Sequence, residues 1–184
     1  MNSRQISIKS IVAIGIGAAL FFVLGRFLII PTPIPNTNIS IQYAILAVFG
    51  VIYGPVVGVF TGFIGHTLID LTYGAPWWSW IIASAVFGLI IGCTSSIITK
   101  EGEGFGLKQI IRFNIIQVIA HAISWLVVAP TLDILVYIEP VKKVFVQGAT
   151  STLLNAIGTG VVGTIILVSY AKTTTHTGSL KKED

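Results

Sequence analysis

The chain has 184 residues, of which 54% are apolar and only 10% charged, with a net charge of +4 and a mean hydropathy of +0.90. A soluble domain carries about 25% charged residues to cover itself with polar surface, so this composition excludes a disordered chain, a coiled coil and a water-soluble globule, and selects a polytopic membrane protein. A single cysteine, Cys93, excludes a disulfide framework or a cysteine metal cluster, and the basic residues nowhere interleave with aromatics as a nucleic-acid face requires.

A membrane-crossing helix takes about 20 apolar residues at about 1.5 Å each. The first such segment covers residues 10–30. It is too long for a signal-peptide core and has no small-x-small cleavage site, so it reads as a retained span. Pro31, Pro33 and Pro35 then stop the helix and stiffen a connector over residues 31–38. Residues 41–53 and 55–71 form two apolar stretches separated by Tyr53-Gly54-Pro55, too tight a break for a folded loop, and so an antiparallel hairpin. The first of the pair is short and needs tilt or shielding by neighbours. Further spans cover residues 77–98, 110–128 and 144–170. The expectation is an all-α bundle of six transmembrane helices, one membrane-embedded domain over residues 1–184 with a loose polar tail at 171–184, in which His176 is solvated.

Basic residues orient the bundle. With the amino terminus in the cytoplasm, the inner side carries Arg4, Lys9, Lys100, Lys108, Arg112, Lys172, Lys181 and Lys182, and the outer side Arg26, Lys142 and Lys143. Eight against three follows the positive-inside bias, and an even span count brings both termini to the cytoplasm of a multi-pass protein.

Helices in lipid gain little from burying apolar surface, so close backbone approach matters. Gly50, Gly54, Gly58 and Gly62 recur every four residues, as do Ser84, Gly88, Gly92 and Ser96, and Ala156, Gly160 and Thr164. These read as internal packing faces. In the first span, Ala13 with Gly17 and Gly15 with Ala19 offer either internal packing or a face for another membrane subunit.

Polar groups at membrane depth are expensive and usually face a cavity or a partner. Here they gather towards one side. Arg26 ends the first span. Asn36 and Asn38 lie in the connector, Tyr43 begins the second span, and His66 and Asp70 share one face near the end of the third. Trp77, Trp78 and Trp80 open the fourth, His121 and Trp125 share a face of the fifth, and Gln147 and Asn155 lie in the outer half of the sixth. Together they suit a ligand cavity opening outward under a half-rigid lid. Blander readings compete: an interfacial tryptophan belt, a neutralising Asp70–Arg26 pair, satisfied core histidines, or a metal site from His66, Asp70 and His121, for which no recognised ligand spacing exists. The glycine-rich segment 100–108 has no GK[ST] and is no phosphate loop, and no GxSxG or other nucleophile motif occurs. No catalytic residue and no metal ligand is assigned.

The runs IVAIGIGAAL (11–20), PTPIPNTNISIQYAIL (31–46), FGVIYGPVVGVFTGFIGHTLID (49–70), YGAPWWSWIIASAVFGLIIG (73–92) and APTLDILVYIEPVKKVFVQG (129–148) resemble the substrate-binding S-components of energy-coupling factor vitamin transporters, closest to the riboflavin-type branch that includes cobalamin-specific members. The resemblance covers residues 7–179. It implies a six-helix bacterial cell-membrane subunit, not an enzyme, that captures a vitamin from outside through its helix ends and the loop after the first helix. The vitamin is cargo, no cofactor is implied, and ATP is used by partners: a transmembrane coupling subunit and two ATP-binding-cassette ATPases. The body then topples in the bilayer to release its cargo. On this reading the substrate-binding set is Arg26, Asn36, Asn38, Tyr43, His66, Asp70, Trp77, Trp78, His121, Trp125, Gln147 and Asn155, and the coupling-subunit face is Ala13 with Gly17. Cobalamin or cobinamide comes first, with His66 or His121 as a conceivable cobalt ligand, and riboflavin second. An ion-coupled secondary transporter, relaying through Arg26, His66, Asp70, His121 and Asp133, is the alternative from a different class.

Overall fold

The computed structural model describes residues 7–99 and 104–177. Arg4, Lys100, Lys181 and Lys182, and the last part of the expected tail, lie outside the described residues. Helix α1 (Ile8–Phe27) is capped by the Ser7 hydroxyl, which accepts from the Ser10 N–H at 3.1 Å. The helix stops three residues short of the expected 30, because the chain turns extended ahead of its prolines. There Ile29–Pro31 (β1) pairs antiparallel with Asn38–Ser40 (β2), in the register Ile29 with Ser40 and Pro31 with Asn38. The connector is thus a small β-ribbon rather than a proline spacer. Its tip is tied by the Thr32 hydroxyl donating to the Thr37 carbonyl at 2.6 Å, and Asn36 takes φ +56° to close the turn.

Helices α2 (Gln42–Tyr53) and α3 (Pro55–Leu71) form the expected hairpin, joined by Gly54 at φ +85° with Pro55 in the first helical turn. Short α2 is shielded rather than lipid-facing: Tyr43, Ala44, Leu46, Ala47, Val48 and Val51 are all buried. Helix α4 (Trp78–Cys93) ends at Thr94, and a one-turn α5 (Ser95–Ile98) completes the expected fourth segment.

The last two segments run longer than expected. Helix α6 (Leu107–Ala122) passes through a π-helical stretch, Ile123–Val128, into α7 (Ala129–Tyr137), so that residues up to Tyr137 form one helix. The sequence reading ended it at residue 128, ahead of Pro130. The widened turn before that proline makes room for a ring that would otherwise strike the preceding turn. Helix α8 (Val141–Gly158) likewise continues through a π-helical stretch, Thr159–Gly163, into α9 (Thr164–Thr177). The expected loose tail is helical as far as Thr177, since neither proline nor glycine interrupts residues 164–177. Among the described residues, three runs are long and apolar enough to cross a membrane: Ile8–Phe27, Leu107–Tyr137 and Val141–Thr173. The three shorter apolar helices α2, α3 and α4 stand beside them.

The small-residue repeats become helix contacts. A Cβ on Gly58 would overlap the backbone of Gly88, one on Gly62 would lie 2.6 Å from the Ser84 carbonyl oxygen, and one on Gly92 would lie 2.5 Å from the Pro55 nitrogen. Helices α3 and α4 therefore touch backbone to backbone. At the Ala156-Gly160-Thr164 face, Asn114 Nδ2 donates to Thr164 Oγ1 at 3.0 Å and Gln117 Nε2 to the Ala156 carbonyl at 3.1 Å.

Candidate functional site

A cavity of about 770 Å³ opens at the end of the bundle where α1 meets the ribbon, α2 and α4 begin, α3 ends, and α7 meets α8. Asn36, Asn38, Tyr43, His66, Asp70, Trp77, Trp125, Gln147 and Asn155 from the sequence-derived set all line it. Residues as far apart in the chain as Asn36 and Asn155 are thus gathered at one end, and Asp133 lines the cavity with them.

The tryptophan wall is organised by a carboxylate. Asp133, buried on the inward face of α7, accepts from Trp77 Nε1 at 2.7 Å, from Trp80 Nε1 at 2.8 Å and from the Ser79 hydroxyl. A buried charge without donors would be costly, and three donors from one helix start meet that demand. Asp70, on the last turn of α3, accepts the Trp77 backbone N–H at 2.8 Å and so caps the start of α4. Trp77 stacks on Tyr137 with ring centres 4.5 Å apart, and Trp80 stacks on Trp125 at 5.3 Å. Trp125 is wholly buried and closes the floor, with Tyr43 edge-on to it at 5.1 Å. A Ser84 hydroxyl joins Tyr43 Oη (3.0 Å) and His66 Nδ1 (2.6 Å), while His66 Nε2 stands 3.6 Å from Asp70.

The facing wall comes from α8. Gln147, Ser151 and Asn155 recur every four residues and so present one polar stripe to the cavity. Gln147 Nε2 also donates to the Pro35 carbonyl at 2.8 Å, fastening the ribbon tip to α8. At the rim, Lys143 Nζ lies 2.7 Å from Glu139.

Three of the sequence-derived residues fall elsewhere. Arg26 does not pair with Asp70; its guanidinium lies 4.6 Å over the ring of Tyr73, itself a lining residue. Trp78 turns outward onto Phe63, and its backbone N–H donates to Tyr137 Oη at 3.1 Å. His121 is fully buried behind the floor: Trp125 Nε1 donates to its Nδ1 at 2.9 Å, and Nε2 lies 3.0 Å from Thr159 Oγ1. With both ring nitrogens engaged, His121 neither converges with His66 and Asp70 on a metal nor reaches a corrin cobalt. The face expected to meet the coupling subunit is also turned. Ala13 and Gly17 are buried, and a Cβ on Gly17 would lie 2.8 Å from Phe49 and from Thr61 Oγ1. Gly15, exposed with nothing around it, and Ala19 occupy the outer face instead.

Sequence reasoning missed Tyr73, Gln42, Ser40 and Ser151 as lining residues, named Trp80 among the cavity-side aromatics without carrying it into the binding set, and used Asp133 only as a relay group. The signal for Ser151 was present in its spacing, midway between Gln147 and Asn155. Asp133 was hidden by Pro130, which made its segment read as a loop.

A family model described as the ECF-type riboflavin transporter, S component, matches residues 5–172. Among curated proteins, the chain is similar to a UPF0397 protein of Lactobacillus johnsonii, 54% identical over 183 residues and 99% of each chain. It is also similar to UPF0397 proteins of Lactobacillus helveticus (52% identical, all of both chains) and Streptococcus agalactiae (53% identical, all of both chains). No solved structure matches it.

Proposed function

The chain belongs to the family of ECF-type riboflavin transporter S-components, and from that membership we propose that it is the membrane-embedded, high-affinity vitamin-binding subunit of an energy-coupling factor importer. The observation that carries this reading is the cavity of about 770 Å³, walled by tryptophans on one side and a neutral polar stripe on the other, in an otherwise apolar bundle. Such polar groups are costly within a bilayer unless they serve a ligand. The cavity end is the outer end, six helical passes leave both termini in the cytoplasm, and a coupling subunit with two ATPases supplies the work of release. The vitamin is cargo and ATP belongs to the partners.

A volume of about 770 Å³ falls within the roughly 300–1,000 Å³ that encloses a drug-sized molecule. A single flavin fits inside, its ring against Trp80 and its hydroxylated chain along α8. A complete cobalamin would leave much of itself outside, and His121 offers it no cobalt ligand. The volume supports a riboflavin-sized vitamin over cobalamin or cobinamide, the reverse of the order that the sequence suggested. The relay of a self-contained ion-coupled transporter finds no support, because Arg26 lies on Tyr73 and His121 is sealed behind Trp125. The coupling subunit docks on the exposed face of α1 around Gly15 and Ala19.

Calorimetry on the detergent-purified chain tests the ligand. Submicromolar riboflavin binding with weak corrinoid binding is the expected result. Tight cobalamin or cobinamide binding without flavin binding would restore the corrinoid order.

A further inference from the structure

The lining charges carry a consequence for ligand chemistry. Asp70 and Asp133 both face the cavity, and among the described residues no lysine or arginine forms an ion pair with either one; His66 Nε2 stands 3.6 Å from Asp70. Lys143, the cationic lining residue, is taken up by Glu139, and the Arg26 guanidinium lies over Tyr73. The start of α4, where backbone N–H groups would welcome an anion, is already filled: Asp70 takes the Trp77 N–H and Tyr137 Oη the Trp78 N–H.

Opposite, Ser151 and Asn155 are 8% and 6% exposed, and neither side chain has a hydrogen-bond partner among the described residues. Buried polar groups left open towards a cavity call for partners on the ligand. Both are neutral, suited to hydroxyl or amino groups.

Resting on the reading of this cavity as a vitamin site, we infer that it takes a neutral or cationic heteroaromatic alcohol and rejects the phosphate ester of the same molecule. The ring lies on the tryptophan wall and the hydroxyl-bearing arm runs along Ser151 and Asn155. A phosphate on that arm enters a cavity lined by Asp70, Asp133 and Glu139, in which Lys143, the one lysine or arginine of the lining among the described residues, is already paired with Glu139. Repulsion of about 1.4 kcal/mol between that charge and the lining carboxylates is enough for a tenfold loss of affinity.

The test uses the full chain in detergent and two matched pairs of probes, riboflavin with flavin mononucleotide and thiamine with thiamine monophosphate. The free alcohol of at least one pair should bind at least tenfold more tightly than its ester. Asp70→Asn, which keeps an acceptor for the Trp77 N–H, should narrow that gap, the ester gaining affinity relative to its alcohol. An ester that binds as tightly as its alcohol, or a gap unmoved by Asp70→Asn, overturns the inference and leaves the vitamin-site reading standing. Failure of all four probes to bind overturns the inference, and the vitamin-site reading falls with it only where cobalamin and cobinamide also fail to bind.

Discussion

Two indole N–H groups and one hydroxyl, all from the start of α4, converge on Asp133 of α7. Trp77 and Trp80 are thereby fixed as a wall, and Trp80 in turn lies on Trp125, which His121 holds from behind. Asp133→Asn preserves shape but exchanges one acceptor oxygen for a donor, so one of the three donors loses its partner at a cost of about 1–3 kcal/mol. Vitamin binding should weaken about ten- to a hundredfold, and the near-ultraviolet circular dichroism of the tryptophans should change, while the chain remains monodisperse in detergent. Unchanged affinity and an unchanged spectrum would show that the carboxylate does not hold the wall. The pairing of His121 with Trp125 was legible in their spacing of four. Their depth was not, because spacing places two side chains on one face without saying what covers that face.

At the scale of elements, α1 separates two roles that its sequence leaves mixed. One face, with Ala13, Gly17 and Phe21, packs into the bundle; the other exposes Ile11, Val12, Gly15, Ile16 and Ala19. With a mean apolar character all round, periodicity cannot tell lipid-facing from bundle-facing positions. Gly15→Leu should therefore weaken co-purification with the coupling subunit while vitamin binding stays the same. Gly17→Leu should lower thermal stability, since the side chain would enter Phe49 and Thr61 and overpacking of this kind costs about 1–3 kcal/mol. If Gly17→Leu spared stability and abolished only assembly, the assignment of faces would be reversed. The π-helical stretches belong to the same scale: the one before Pro130 carries the helix nine residues beyond the expected end at 128 and brings Asp133 to the cavity.

For the whole molecule, the apolar bundle with one polar end suits capture without an engine of its own. Reconstituted alone in liposomes, the chain should bind vitamin with no sustained uptake; added coupling subunit and ATPases with ATP should start transport. Uptake by the isolated chain driven by an ion gradient would overturn this division of labour. Class and helix order were legible from composition and apolar run length alone, because lipid forces every buried backbone group into helices and makes each charge conspicuous. Gly58, Gly62, Gly88 and Gly92 likewise announced their contacts, since only small side chains let backbones touch. Which face of α1 turns inward, that the connector folds as a ribbon tied to Gln147, and that Asp133 gathers Trp77 and Trp80 were settled only by tertiary packing. Each depends on partners tens of residues away, and local spacing carries no information about which distant donor will meet which acceptor.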